Sequence, residues 1–360
     1  MKKIGKIIII VCILMCFSLE SSAMEEADEH IENFESILPE GLEGAASEPD
    51  ALDSYIGPGA LLSHIVSAFS DEAPRVALFF LLLLGGIAIL SLSESFGGRL
   101  SEPAGAGISL IISASITAYS IGIFKEVSLA LTKISDFFAI LSPVMVGVHA
   151  SSGAVHTAAS AAMGMNLTLA IITDMLVPFF TQLAAFGLAV ATLLAFGDDA
   201  VMPISSGVKS FFFWAIGLAS ACLMGAMALQ SFVSAARDSA AMRAAKYAAS
   251  SLIPVVGGTV SASMATLWTG ISYAKSIIGA GAVAVIISIF LSPLIMLLLY
   301  RTALSLAAGI AGAIGISRAE RTLGVFRVAY DIYIAVFALA SIIYIFEIAL
   351  FAVSGSGWGG

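Results

Sequence analysis

From residue 76 onward, long apolar runs alternate with short polar stretches, and the lengths of the runs set the first expectations. Val76–Leu92 is an apolar run of 17 residues with a single serine, Ser91, enough for one crossing of a hydrocarbon layer about 30 Å thick. A polar turn with Glu94, Gly97, Gly98, Arg99, Glu102 and Pro103 follows, and Gly105–Phe124 reads as a second crossing. Ile134–Val148, which carries Asp136 and Pro143, is a shorter third. Asn166–Phe196 is long enough for one tilted span with Pro178 as its kink, and Phe211–Leu229 is the next. Ile277–Tyr300 and the apolar part of Gly324–Val353 complete a set of about seven transmembrane helices. Thr259–Tyr273 reads as half-inserted or spanning, and Thr302–Ile316 as a short segment of small residues.

The pattern breaks once in a distinctive way. Lys246-Tyr247-Ala248-Ala249-Ser250-Ser251-Leu252 leads into Ile253-Pro254-Val255-Val256-Gly257-Gly258. Pro254 removes a backbone donor and disfavours helix at Ile253, and the two glycines relax the backbone just beyond. A helix is therefore expected to stop near Leu252. The broken segment near Pro254–Gly258 is either a connecting turn between spans or a re-entrant, pore-side element, since broken backbone at membrane depth needs protein or water to satisfy it.

Composition fits this reading. Charged residues make up 11% of the chain, against about 25% for a soluble domain, and the mean hydropathy is +1.02. The fold class is an all-α polytopic membrane protein. Three cysteines, all inside apolar runs, build no disulfide framework.

Charge is distributed unevenly. Lys2, Lys3 and Lys6 precede the apolar run Ile7–Leu19 and the small residues Ser21-Ser22-Ala23, the layout of an export signal cut after Ala23. An uncleaved anchor helix is the alternative. Residues 24–75 then hold 13 of the 25 acidic residues against a single basic one, Arg75. This acidic extracytoplasmic arm reads as solvated chain, with Ile31, Phe34, Ile37 and Leu38 at helical spacing within it. Residues 76–353 form the membrane domain and 354–360 a glycine-rich tail. The two net-positive loops, 230–251 and 317–327, belong on the cytoplasmic side. Counting crossings back from them, with Ile134–Val148 as a full span, places the arm outside.

Candidate chemistry is sparse. His149 and His156 share a helical face, but no carboxylate or cysteine near them completes a metal site. No phosphate-binding loop, nucleophile elbow or dinucleotide fingerprint is present, so neither an enzyme nor a cofactor is expected. Intramembrane polar groups are the stronger candidates, because ionisable groups in hydrocarbon are costly unless paired or wet. Asp174 and Gln182 flank Pro178 near one helical face, and Glu347 lies three residues after Tyr344 in the last span. Ala308/Gly312 and Ala311/Gly315 are small residues at i, i+4, spacing that lets helix backbones approach closely in lipid.

Lys246-Tyr247, Ser250, the run Ile253 to Gly258 and Ser261 resemble the signature of the stage III sporulation protein AE family. The order of signal, exported arm, spans, basic loop, motif and further spans is also similar. The resemblance covers roughly Ile65 to Phe351. It implies a membrane subunit of the secretion-like channel, or feeding tube, between mother cell and engulfed forespore, supporting late forespore gene expression. The implied location is the mother cell's outer forespore membrane. Implied partners are the other stage III sporulation A-operon proteins (an ATPase, small membrane subunits and ring proteins) and stage II sporulation protein Q across the intermembrane space. Membrane lipid is a further partner, and nucleic acid is not. The resemblance assigns no catalytic residues; its motif maps onto Lys246, Ile253, Pro254, Val255, Val256, Gly257 and Gly258. A stand-alone permease for a small solute or ion is the alternative, weakened because only one clear Pro-Gly break is found where such proteins commonly carry a pair.

Overall fold

The computed structural model describes residues 58–95, 101–151, 155–176 and 257–353, with isolated helical positions between 178 and 236. All regular elements among them are helical. They are α1 (Pro58–Ser95), α2 (Ser101–Ser151), α3 (Val155–Ala170), which runs into a π-helical turn at Ile171–Leu176, α4 (Gly257–Ile314) and α5 (Ser317–Val353). The signal, most of the arm, the tail and residues 246–256 of the Pro-Gly motif lie outside the described residues. Gly257 and Gly258 are the first residues of α4.

Helix α1 begins well before its apolar run and carries Pro74 inside it. Phe79, Leu83, Ile87 and Leu90 form its buried face, while Leu78, Leu81, Ile89 and Leu92 point outward. A helix apolar all round with only one face packed is what a lipid-facing span requires.

The structure corrects the division of α2. Gly105–Phe124 and Ile134–Val148, read as two crossings, belong to one continuous helix of 51 residues. The intervening sequence, Lys125-Glu126-Val127-Ser128-Leu129-Ala130-Leu131-Thr132-Lys133, contains neither glycine nor proline. Its charges end the apolar run without ending the helix, because lysine and glutamate are good helix formers. Pro143 is likewise carried inside the helix. The crossing count that placed the arm outside rested on a turn α2 does not contain.

A similar merger occurs in α4. Thr259–Tyr273, Ile277–Tyr300 and the segment from Thr302 onward are one helix of 58 residues, with Pro293 inside it. Among the described residues four helices are long and apolar enough to cross a membrane: Leu62–Ser93, Pro103–Ala150, Ile277–Ile314 and Ser317–Ala352. Of the expected spans, 166–196 is described continuously only as far as Leu176, and the rest of it and 211–229 only at scattered positions. The 38 residues of Ile277–Ile314 extend about 57 Å at 1.5 Å per residue, well beyond an apolar layer of about 30 Å.

Helix α4 stops at Gly315, which has φ +92°. Ile316 donates its N–H to the Ala311 carbonyl at 2.9 Å, and Gly315 donates to Gly312 at 3.1 Å. This is a Schellman ending, in which a left-handed residue satisfies the last carbonyls of the helix. Helix α5 starts at once and folds back antiparallel to α4. Small residues serve this hairpin: a Cβ on Gly312, singled out in the sequence, would lie 3.0 Å from the Glu320 carboxyl, and one on Gly279 would lie 3.2 Å from the Ala352 methyl. Arg318 reaches the start of α2 near Gly105, so the hairpin turn and the start of α2 share one end of the bundle.

Helix α4 packs against α1, α2 and α5, and α2 contacts every other described helix. One continuous core joins them, with Tyr330, Tyr344, Phe79, Phe138, Phe326 and Phe337 among its fully buried side chains.

Candidate functional site

The most heavily functionalised surface in the bundle is the inward face of α5. Tyr330, Tyr333, Phe337, Ala340, Tyr344, Glu347 and Phe351 alternate three and four residues apart, and all are buried. That spacing keeps one stripe facing its neighbours along the whole helix. Five members of the stripe are aromatic and three are tyrosines, so the face combines large apolar area with hydroxyls that need partners when buried.

Helix α2 supplies those partners. Ser120 Oγ lies 3.1 Å from the Tyr330 hydroxyl, and Ser135 Oγ lies 2.9 Å from the Tyr344 hydroxyl. The serines are 15 residues apart and the tyrosines 14, about four helical turns in each case. Helices α2 and α5 therefore run parallel in register, with two polar rungs between them. Aromatic contacts fill the intervals: Phe124 stacks on Tyr333 at 3.7 Å, Phe138 tilts against Tyr344 at 4.8 Å, and His149 meets Phe351 edge-on at 5.0 Å.

Below the second rung lies Glu347. It is 5% exposed, in the crevice between α5 and α3, where the Thr168 side chain hydrogen-bonds it. Its Oε2 is buried with no hydrogen-bond partner among the described residues. Gly164 makes room for the other oxygen, since a Cβ there would sit 3.2 Å from Oε1. A buried carboxylate atom without a donor costs on the order of 1–3 kcal/mol or more, so its retention is a feature to be explained. The π-helical turn of α3 begins three residues beyond Thr168, and single π turns inside α-helices frequently accompany functional sites.

The other sequence-derived candidates are placed differently. Asp174 is exposed on the π-helical turn, and Gln182 and Pro178 are exposed at isolated helical positions. The π turn departs from the 3.6-residue period on which their common face was argued. No described contact links Asp174 to Glu347. Lys246, Ile253, Pro254, Val255 and Val256 lie outside the described residues. No group of three histidine, cysteine, aspartate or glutamate side chains that could hold a metal occurs among the described residues.

One feature of α4 and α5 was not singled out in the sequence. Arg301 Nε donates to Asp331 Oδ1 at 2.8 Å, joining the two helices partway along their apolar lengths. The signal was available: Arg301 lies 14 residues before Gly315 and Asp331 lies 15 after Ile316, so a tight turn there sets them opposite each other.

Long apolar helices locked by buried hydroxyl rungs, an ion pair and a buried carboxylate define a polytopic helical membrane protein with a polar seam at its centre. The family model for stage III sporulation protein AE matches residues 59–356, more than four fifths of the chain, and the chain belongs to that family. No curated protein and no solved structure gives a match. It is thus a membrane protein of the sporulation process.

Proposed function

We propose that the protein is the polytopic membrane subunit of a multiprotein, secretion-like channel between mother cell and forespore. The observation that carries this is the family match over residues 59–356. The polar seam supports it, because a buried carboxylate among packed hydroxyls is what a subunit lining or bracing a passage retains. In this reading the chain sits in the mother cell's outer forespore membrane. Residues 1–23 direct export, and the acidic arm, 24–75, faces the intermembrane space. The other stage III sporulation A-operon proteins (an ATPase, small membrane subunits and ring proteins) assemble with it, and stage II sporulation protein Q meets the assembly from the forespore side. The motif from Lys246 to Gly258 forms a bent element at the passage. No catalytic step is assigned.

Reconstitution separates this reading from a stand-alone permease. The purified chain alone in liposomes should move no solute selectively, and in sporulating cells it should co-purify with the ATPase and ring proteins. Selective, saturable uptake by the isolated chain, with no such partners recovered, overturns it.

A further inference from the structure

The uncharged runs of α1 and α2 define one slab of the bundle, and α5 is the exception within it. Between Arg75 and Glu94, α1 has 18 residues without a charge, and between Glu102 and Lys125, α2 has 22. The two runs lie side by side. Phe79 meets Tyr119 at 5.5 Å, and a Cβ on Gly105 would lie 3.7 Å from Ser93 Oγ. They rise about 27 and 33 Å, close to the thickness of an apolar layer. Large apolar side chains point outward from three helices of the slab: Leu78 and Leu81 of α1, Ile111 of α2, and Leu306 and Ile314 of α4.

Helix α5 crosses the same slab beside α2, from Arg318 near Gly105 to Tyr330 beside Ser120. Gly324, midway between, is level with the middle of both uncharged runs. Glu320, Arg321 and Arg327 lie within four residues of it, about 6 Å along the helix axis. Glu320, Gly324, Arg327 and Asp331 follow at three- and four-residue spacing and so share a face. Glu320 is exposed, and a Cβ on Gly324 would meet nothing within 4 Å. Arg327 Nε is buried without a hydrogen-bond partner among the described residues. Residues 317–327, expected from the sequence as a basic loop, thus stand at the depth of two apolar runs.

Ionised groups at such depth are kept where water or opposite charge meets them, not hydrocarbon. We propose that this face of α5 borders water and forms part of the wall of the passage, a reading that rests on the channel assignment. Water solvates Glu320 and Arg327, and Gly324 leaves the space between them open. Val328 is the one apolar side chain beside them, too little for a neighbouring helix to pack on. The outward apolar faces of α1, α2 and α4 meet lipid.

The test places single cysteines in the full chain, its own three replaced by alanine, in membranes isolated from sporulating cells. Gly324→Cys keeps every charge and enters open space, while Leu81→Cys and Ile111→Cys sit within about a turn of the same depth on apolar faces. A water-soluble, membrane-impermeant thiol reagent attacks the thiolate, which hydrocarbon suppresses, so Gly324→Cys should react about tenfold faster than either control. In the native chain, Gly324→Trp should lower a late forespore reporter at unchanged protein level, and Ile111→Trp should not. No reaction at Gly324→Cys means that lipid or protein covers the face, and overturns the proposal. Equal reaction at all three positions puts the slab outside lipid and overturns it as well. So does fast reaction with a reporter indifferent to Gly324→Trp, since the face is then wet but no wall of the passage. The channel assignment fails separately, if a strain lacking the chain sporulates normally.

Discussion

Arg301 and Asp331 meet at 2.8 Å across the α4–α5 hairpin, almost equally far from the turn at Gly315. The pair fixes the register of two helices whose remaining contacts are largely apolar. Arg301 is 41% exposed and Asp331 12%, so solvent discounts its strength to about 1 kcal/mol. Arg301→Gln and Asp331→Asn should each lower stability by about that amount, and the exchange Arg301→Asp with Asp331→Arg should recover most of it. Thermal unfolding of the four proteins in one detergent checks this. Equal loss in the exchanged variant would mean that each residue acts through other neighbours.

The apolar character of all four described spans was plain in the sequence. The turn at Gly315 was not: the sequence reads 317–327 as a basic loop, whereas those residues are the first turns of α5, since arginines end an apolar run without ending a helix. The continuity of α2 was not, because the charges between Lys125 and Lys133 were read as a turn although no residue there breaks a helix. Glu347 could be picked out as a carboxylate in an apolar run. Thr168 and Gly164 could not, since nothing local marks which residues of α3 face it. The Ser120–Tyr330 and Ser135–Tyr344 rungs join positions about 210 apart, and only the packed structure sets that register.

The turn itself should be intolerant. Gly315 holds φ +92°, a left-handed conformation that costs an L-residue roughly 1–2 kcal/mol. Gly315→Ala should therefore destabilise by about that much, whereas Gly309→Ala, where a Cβ meets nothing, should be neutral or slightly stabilising. Denaturation midpoints of the two variants compare the positions directly.

The hydroxyl rungs should behave as pairs. Ser135→Ala takes from the buried Tyr344 hydroxyl its bond to Ser135, and Tyr344→Phe removes the same bond from the other side. Each single change should cost about 1–2 kcal/mol, and the double variant should cost less than their sum. A double-mutant cycle by thermal unfolding measures the coupling. Strict additivity would remove the rung from the account.

Glu347 and Gly164 should be coupled in a different sense. Gly164→Ala puts a methyl carbon 3.2 Å from Glu347 Oε1 and should destabilise by about 1 kcal/mol. With Glu347→Ala in the background the penalty should vanish. Glu347→Gln keeps the shape and supplies a donor in the crevice, so protein level should be normal. If the carboxylate serves the passage, late forespore gene expression in that strain should nevertheless fall. Thermal unfolding, immunoblotting and a late forespore reporter read the three effects.

The most direct measurement is a clean deletion in the source organism, complemented by the wild-type chain and followed by microscopy through starvation with a late forespore reporter. The account predicts that engulfment finishes, that forespores then shrink with the reporter dark, and that the wild-type chain restores both. Normal sporulation in the deletion strain, or a block before engulfment completes, would contradict it.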